Sequence, residues 1–205
     1  MTEGKGLMQS GHFYVQHIAS ADADEIAAFR VDAEGGQGLD DYLKNYALDD
    51  EKAREMRTYL VRFDMTDEIV GYFSLKAGLV SLNEEEVEVI DTETGEKHIE
   101  REFDTAPGVE LANFAVNSAF IQSYPYLKGL GRLIFTDFIM PKVYEVSDLV
   151  GTSVLYIFAL PYDRLIQRYE EYGFHRLSKV DEDDLHKRLK PRYDESCKFM
   201  YLLLE

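Results

Sequence analysis

YPYLKGLGRLIF, spanning Tyr124–Phe135, sets two glycines one residue apart, with a lysine before them and apolar residues after them. From Leu130 the apolar spacing is helical, with Leu130, Leu133, Ile134 and Phe138 on one face. A helix is therefore expected from here to about Val146, kinked at Pro141. The start of a helix carries unpaired N–H groups and partial positive charge, and glycines without Cβ let an anion approach that backbone closely. Leu127, Lys128, Gly129, Leu130, Gly131 and Arg132 thus read as a cradle for a pyrophosphate, with Lys128 and Arg132 adding charge. The stretch is not a Walker loop, because Gly-Lys-Ser/Thr is missing. Nor is it a full Gly-x-Gly-x-x-Gly, because Ile134 stands where the third glycine would be.

Upstream of the glycines, VELANFAV (Val109–Val116) is apolar on both faces, as a central strand is. The segment Asn117–Lys128 reads as a loop. Downstream, Ser153–Leu160 is a second buried strand and Asp163–Tyr172 an amphipathic helix that Gly173 ends. Phe174–Lys179 and Phe199–Leu204 are two last strands joined by a charged segment, Asp181–Arg192. Nearer the N-terminus, Asp22-Ala-Asp-Glu25 resembles a capping box that opens a short helix through Phe29. A second helix is expected over Asp40–Ala47, resuming after Asp50. Thr58–Phe63 and Ile69–Leu75 form an antiparallel hairpin around the polar turn DMTDE. Between Glu84 and Glu102 lie nine acidic residues interleaved with apolar ones. They read as an exposed β-hairpin over residues 84–106 with its tip near Gly95, either a partner-binding arm or half of a dimer interface, or else a solvated insertion. The order of elements gives an α/β (α+β type) fold with a mixed sheet in one domain, residues 1–205.

The composition bounds the setting. The chain of 205 residues is 45% hydrophobic, enough for a sizeable core. It has one cysteine, Cys197, so no internal disulfide forms, and a reducing, cytoplasmic setting fits. The apolar runs are too short for a transmembrane helix, and MTEGKGLMQSGHFYV has no apolar core of signal-peptide length. The formal net charge of −17 repels phosphate backbones. It therefore points to no nucleic acid and no membrane as partners, and to a cationic or amine-bearing small molecule or protein amine, unless the charge serves solubility alone.

Strand, glycine turn, helix, strand, helix, then Tyr169-Glu-Glu-Tyr172-Gly173-Phe174: in this order the sequence resembles the GNAT superfamily of acyl-coenzyme-A-dependent N-acyltransferases. The resemblance is sharpest from Val109 to Lys179. It implies a mostly antiparallel central sheet flanked by helices on both faces, and acetyl-coenzyme A as cosubstrate with no metal. The family's strand ending looks like Phe114, Ala115 and Val116, whose backbone would pair with the pantetheine arm. The family's pyrophosphate loop, Arg/Gln-x-x-Gly-x-Gly/Ala, looks like Tyr126–Gly131, with Tyr126 standing where Arg or Gln is usual. The Tyr of the Tyr-x-x-x-Gly-Phe ending looks like Tyr169, the proton donor to the departing thiolate. The loop between Val116 and Gly129 is longer than the family's. Homodimers are frequent among such proteins.

Acyl transfer to an amine needs a base, donors for the oxyanion and a proton for the leaving thiolate. A lysine-like amine, with pKa about 10.4, is neutral in roughly one molecule in a thousand at pH 7. Glu110 precedes Phe114 at the offset of some family members' catalytic glutamate and is the candidate base, unless it is an ordinary solvent-facing carboxylate. The Val116 N–H is a candidate oxyanion donor. Asn113 reads as a core hydrogen-bonding residue or a substrate contact. The five histidines lack metal-ligand spacing. Cys197 reads as a buried thiol, and no serine has a hydrolase frame. The sequence therefore points to an N-acetyltransferase that transfers acetyl directly to a primary amine in a ternary complex. The alternative is a GNAT-fold module that holds coenzyme A or a protein partner without catalysis.

Overall fold

A computed structural model of the protein describes residues 10–90, 94–95, 97–188 and 196–204. Seven strands form one sheet in the order β1-β2-β3-β4-β5-β7-β6. They are β1 (Phe13–His17), β2 (Arg57–Phe63), β3 (Ile69–Ile90), β4 (Lys97–Val116), β5 (Val154–Ala159), β6 (His175–Arg176) and β7 (Lys198–Leu203). β4 and β5 run parallel, whereas β1–β2, β2–β3, β5–β7 and β6–β7 are antiparallel. The helices are α1 (Ala23–Ala28), α2 (Gln37–Asn45), α3 (Ala47–Ala53), α4 (Ser118–Ser123), α5 (Leu130–Ile134), α6 (Met140–Val150), α7 (Asp163–Glu171) and α8 (Lys179–Arg188). The expected acidic hairpin is present as the outer parts of β3 and β4, with Gly95 at φ +71° in its turn. It grows out of the two central strands. Residues 91–93 and 96 of its tip lie outside the described residues.

The chain divides into two compact units, the first running up to Lys76 and resuming over Leu111–Val146, the second made of Ala77–Glu110 and the residues from Ser147 onward. In the first unit, α1 and α2 bury Ile26, Phe29, Tyr42 and Leu43 against Leu60 and Tyr72 of β2 and β3. Tyr72 meets Phe29 edge-on at 5.5 Å and donates to the Leu39 carbonyl at 2.6 Å. Asp22 does not form the expected capping box. Its Oδ1 accepts from Arg62, a buried guanidinium with a side chain only 3% exposed, at 2.8 Å, and its Oδ2 accepts from the Ala19 N–H. A buried guanidinium must be paired, and that demand outweighs the cap.

The expected loop Asn117–Lys128 contains α4, and Asn117 is the reason. Its Oδ1 accepts from the N–H groups of Ala119 at 3.0 Å and Arg30 at 3.3 Å, while its Nδ2 donates to the Ile69 carbonyl at 2.8 Å. One amide thus caps a helix and ties together three chain segments. Asn117→Ala should lower stability by about 2 kcal/mol, a lost cap plus a buried carbonyl left unpaired. The check is a lower urea midpoint at unchanged slope. Beyond the glycine turn, α5 passes through a π-helical turn (Phe135–Ile139) into α6, which reaches Val150 rather than Val146. Pro141 sits in the first turn of α6, where its missing N–H is tolerated after the wider turn.

In the second unit, β5 lies between β4 and β7, over a core of Val80, Val154, Tyr156, Leu185 and Phe199. α7 turns Ile166 and Tyr169 inward and stops as expected at Gly173, whose φ is +93°. The strand expected over Phe174–Lys179 shrinks to His175–Arg176, because Ser178 Oγ accepts from the Asp181 N–H and opens a helix. The charged segment that follows is α8 through Arg188, with residues 189–195 outside the described part. Glu182 of this helix is buried and accepts from the Phe199 N–H at 3.0 Å, which fixes the start of β7. Cys197 is buried, as expected.

Candidate active site

The glycine turn belongs to the first unit. Gly129 precedes α5 at φ +77°, a left-handed conformation that costs a residue with Cβ roughly 1–2 kcal/mol. A Cβ there would meet no atom within 4 Å, so the conformation, not crowding, calls for glycine. The helical ladder begins with the Leu133 N–H bonding the Gly129 carbonyl at 3.0 Å. Among the described residues no acceptor is found for the N–H groups of Gly129, Leu130, Gly131 and Arg132. Four consecutive free donors at a helix start suit an anion. Leu130 is buried and anchors the turn, whereas Lys128 and Arg132 are exposed. The Leu127 N–H bonds the Tyr124 carbonyl at 3.0 Å and shapes the approach. Tyr126 is 71% exposed, so its ring is not committed to the core.

The strand before the turn is held closely. A Cβ on Gly71 would stand 2.7 Å from the Ala115 carbonyl and 2.8 Å from Ile134 Cδ1, so Gly71 lets β4 and α5 pack tightly. Ala115 is buried, and Phe114 and Val116 are half-buried. The ladder of β4 with β5 runs from Gly108↔Val154 to Glu110↔Tyr156 and stops there, so Phe114, Ala115 and Val116 have no partner in β5. Asn113 is 1% exposed; its Nδ2 lies 3.8 Å from Met56 Sδ, and its Oδ1 has no partner among the described residues.

Glu110 and Tyr169 belong to the second unit. Glu110 is half-buried, and its Oε2 accepts from the Tyr156 hydroxyl at 3.3 Å. Tyr169 is 8% exposed and packs edge-on against Phe174 at 5.5 Å and Tyr172 at 6.1 Å. Its hydroxyl has no hydrogen-bond partner among the described residues. Burial, and then the neighbouring Tyr172, push its pKa well above the ordinary value for tyrosine. Tyr169 therefore remains a phenol across the physiological range, as a proton donor must. Sequence reasoning missed Tyr156, because its link to Glu110 depends on strand register. Among the described residues there is no group of three or more His, Cys, Asp or Glu that could hold a metal, and no helix long and apolar enough to cross a membrane.

No protein-family model matches the chain. Solved structures do match along nearly its whole length. One is a tyrosine-to-phenylalanine variant of the AtaT toxin, bound to the C-terminus of the antitoxin AtaR and acetyl-CoA. It is 16% identical, covers 94% of this chain and 93% of that one, and has a TM-score of 0.61. A KacTA–DNA complex is 20% identical over 93% of this chain and 92% of its own, with a TM-score of 0.60. AtaT complexed with acetyl-methionyl-tRNAfMet is 16% identical over 93% and 94%, with a TM-score of 0.62. The chain shares the fold of these solved structures, with the mixed, mostly antiparallel sheet flanked by helices that was expected. The expectation of no nucleic acid does not stand. Structures of this fold were solved with DNA and with an aminoacyl-tRNA. A net charge of −17 is a sum over the chain, whereas phosphate contacts are made by a local face, so the sum does not exclude them.

Proposed function

We propose that this protein is an acetyl-coenzyme-A-dependent N-acetyltransferase that acts on a primary amine. The observation that carries this reading is the run of four free N–H groups from Gly129 to Arg132, opened by a left-handed glycine. That run would hold the pyrophosphate of coenzyme A, with Lys128 and Arg132 adding charge. The unpaired edge of Phe114, Ala115 and Val116 would take the pantetheine arm in the manner of an added strand. The Val116 N–H would donate to the tetrahedral oxyanion.

Glu110 takes the proton that the amine must lose to attack. The acetyl group then passes from sulfur to nitrogen, and Tyr169 gives its phenolic proton to the departing thiolate. The burial that keeps Tyr169 protonated supports that role. The AtaT complex with acetyl-methionyl-tRNAfMet brings aminoacyl-tRNA into the set of acceptors, beside polyamines and protein amines. An α-amine with pKa about 7.7–8.0 is neutral in roughly a tenth of molecules or more at pH 7, so it asks far less of a base than a lysine does.

The test is calorimetric titration with acetyl-coenzyme A, followed by thiol-release assays on an amine panel that includes aminoacyl-tRNA. Micromolar binding and thiol release with one acceptor is the expected result. Binding without release on any acceptor would favour the non-catalytic coenzyme A module. Absence of binding would overturn the enzyme and leave the protein-interaction module.

A further inference from the structure

Glu110 and Tyr156 stand directly opposite each other in the parallel pair β4–β5. Tyr156 is 3% exposed, and its hydroxyl reaches Glu110 Oε2. Its ring is held by Phe199 at 5.8 Å and Phe158 at 6.3 Å. Two glycines leave room for it. A Cβ on Gly108 would stand 3.2 Å from two of the ring carbons. A Cβ on Gly78, in β3, would stand 2.0 Å from the hydroxyl oxygen itself. Neither glycine has a positive φ, so neither is required by its backbone conformation. Glycines in such strand positions mark a close approach; at Gly78 it is that of the phenol alone, and at Gly108 that of the phenol and of the Val154 carbonyl, 3.1 Å away. Core packing alone does not ask for that phenol, since phenylalanine would fill the same space without desolvating a hydroxyl.

We infer that Tyr156, seated between Gly78 and Gly108, is a positioning residue that orients the Glu110 carboxylate toward the amine. The inference rests on the reading of Glu110 as the base. Tyr156 donates and Glu110 accepts. Burial, the charge of Glu110 and the hydrogen bond to it all raise the phenol's pKa, so the proton stays on Tyr156. One carboxylate oxygen is thereby fixed to a rigid strand. The cost of aligning the carboxylate is met in folding rather than in each turnover.

The test uses the full-length protein with its tyrosines labelled with 13C at Cζ. The Tyr156 resonance is the one lost in Tyr156→Phe. Glu110→Gln and Gly78→Ala should each move that resonance, the first by removing the charged acceptor and the second by displacing the hydroxyl. With a competent amine, Tyr156→Phe and Gly78→Ala should each lower kcat about tenfold while leaving the KM for acetyl-coenzyme A unchanged. Neither should lower kcat further in the Glu110→Gln background, because groups that act as one unit are non-additive. A resonance indifferent to Glu110→Gln overturns the contact. Full kcat in Tyr156→Phe, or losses that add to those of Glu110→Gln, overturns the positioning role. Should Glu110→Gln itself keep full kcat, the base reading fails and the positioning role fails with it, while the resonance shift still reports the contact. Tyr156→Phe keeps the ring, so the test survives a Gly78→Ala variant that does not fold.

Discussion

Acetyl-coenzyme A binding should fall by at least ~100-fold when Gly129 and Gly131 are both replaced by glutamate, about 3 kcal/mol of lost affinity. Two causes combine. Glutamate at position 129 must adopt φ +77°, which distorts the turn that aims the N–H groups. Two carboxylates beside those N–H groups then repel the phosphates the groups would bind and compete with them as acceptors. Titration calorimetry measures the loss. Gly131→Glu alone separates the causes, since Gly131 does not have a positive φ and the charge acts there without backbone strain. That single variant should still lose most of the affinity with an unchanged melting temperature. Undiminished binding in the double variant would remove the glycine turn from the site.

Tyr169→Phe should lower turnover by about 10²–10³-fold, the usual worth of a positioned proton donor, while acetyl-coenzyme A binds as before. The ring's edge-on contacts with Phe174 and Tyr172 involve carbon atoms only and survive the change. The hydroxyl has no partner among the described residues, so its removal leaves no orphaned group and stability should hold. Rapid-quench or thiol-release kinetics, paired with calorimetry, separate the two effects. Full turnover in the variant would remove Tyr169 as the donor.

The features legible in the sequence were those governed by neighbours along the chain. The apolar runs of β2 and β5, the helical spacing after Leu130, the helix start at Gly129 and the stop at Gly173 depend on few residues each, and the structure has them where the pattern put them. Features decided at a distance were not legible. Asp22 looked like a cap, but a guanidinium forty residues away claims its carboxylate. The segment after Ser178 looked like a charged connector. It is helical because Ser178 caps it and one of its residues, Leu185, finds a core. Asn117 looked like the start of a loop, although an Asn before Ser-Ala was a cap signal that could have been read. At the site, the glycine turn was legible, whereas the Tyr156–Glu110 contact and the room that Gly78 provides depend on strand register.

The two units are each made of two separate stretches of chain, and the stretches alternate. The order of synthesis therefore constrains when each can fold. A nascent chain that has reached Lys76 lacks Leu111–Val146, and with them Asn117, whose amide bonds Arg30 and Ile69. The first unit thus waits for the ribosome to pass residue 146, while Ala77–Glu110 has already emerged with its partner strand β5 still unmade. During that interval the inner strand carrying Glu110 exists without the strand that will cover its edge. Long-range pairing of this kind folds slowly and exposes strand edges on the way. The dense acidic stretch beginning at Glu84 lies in that waiting segment, where like charge holds nascent chains apart.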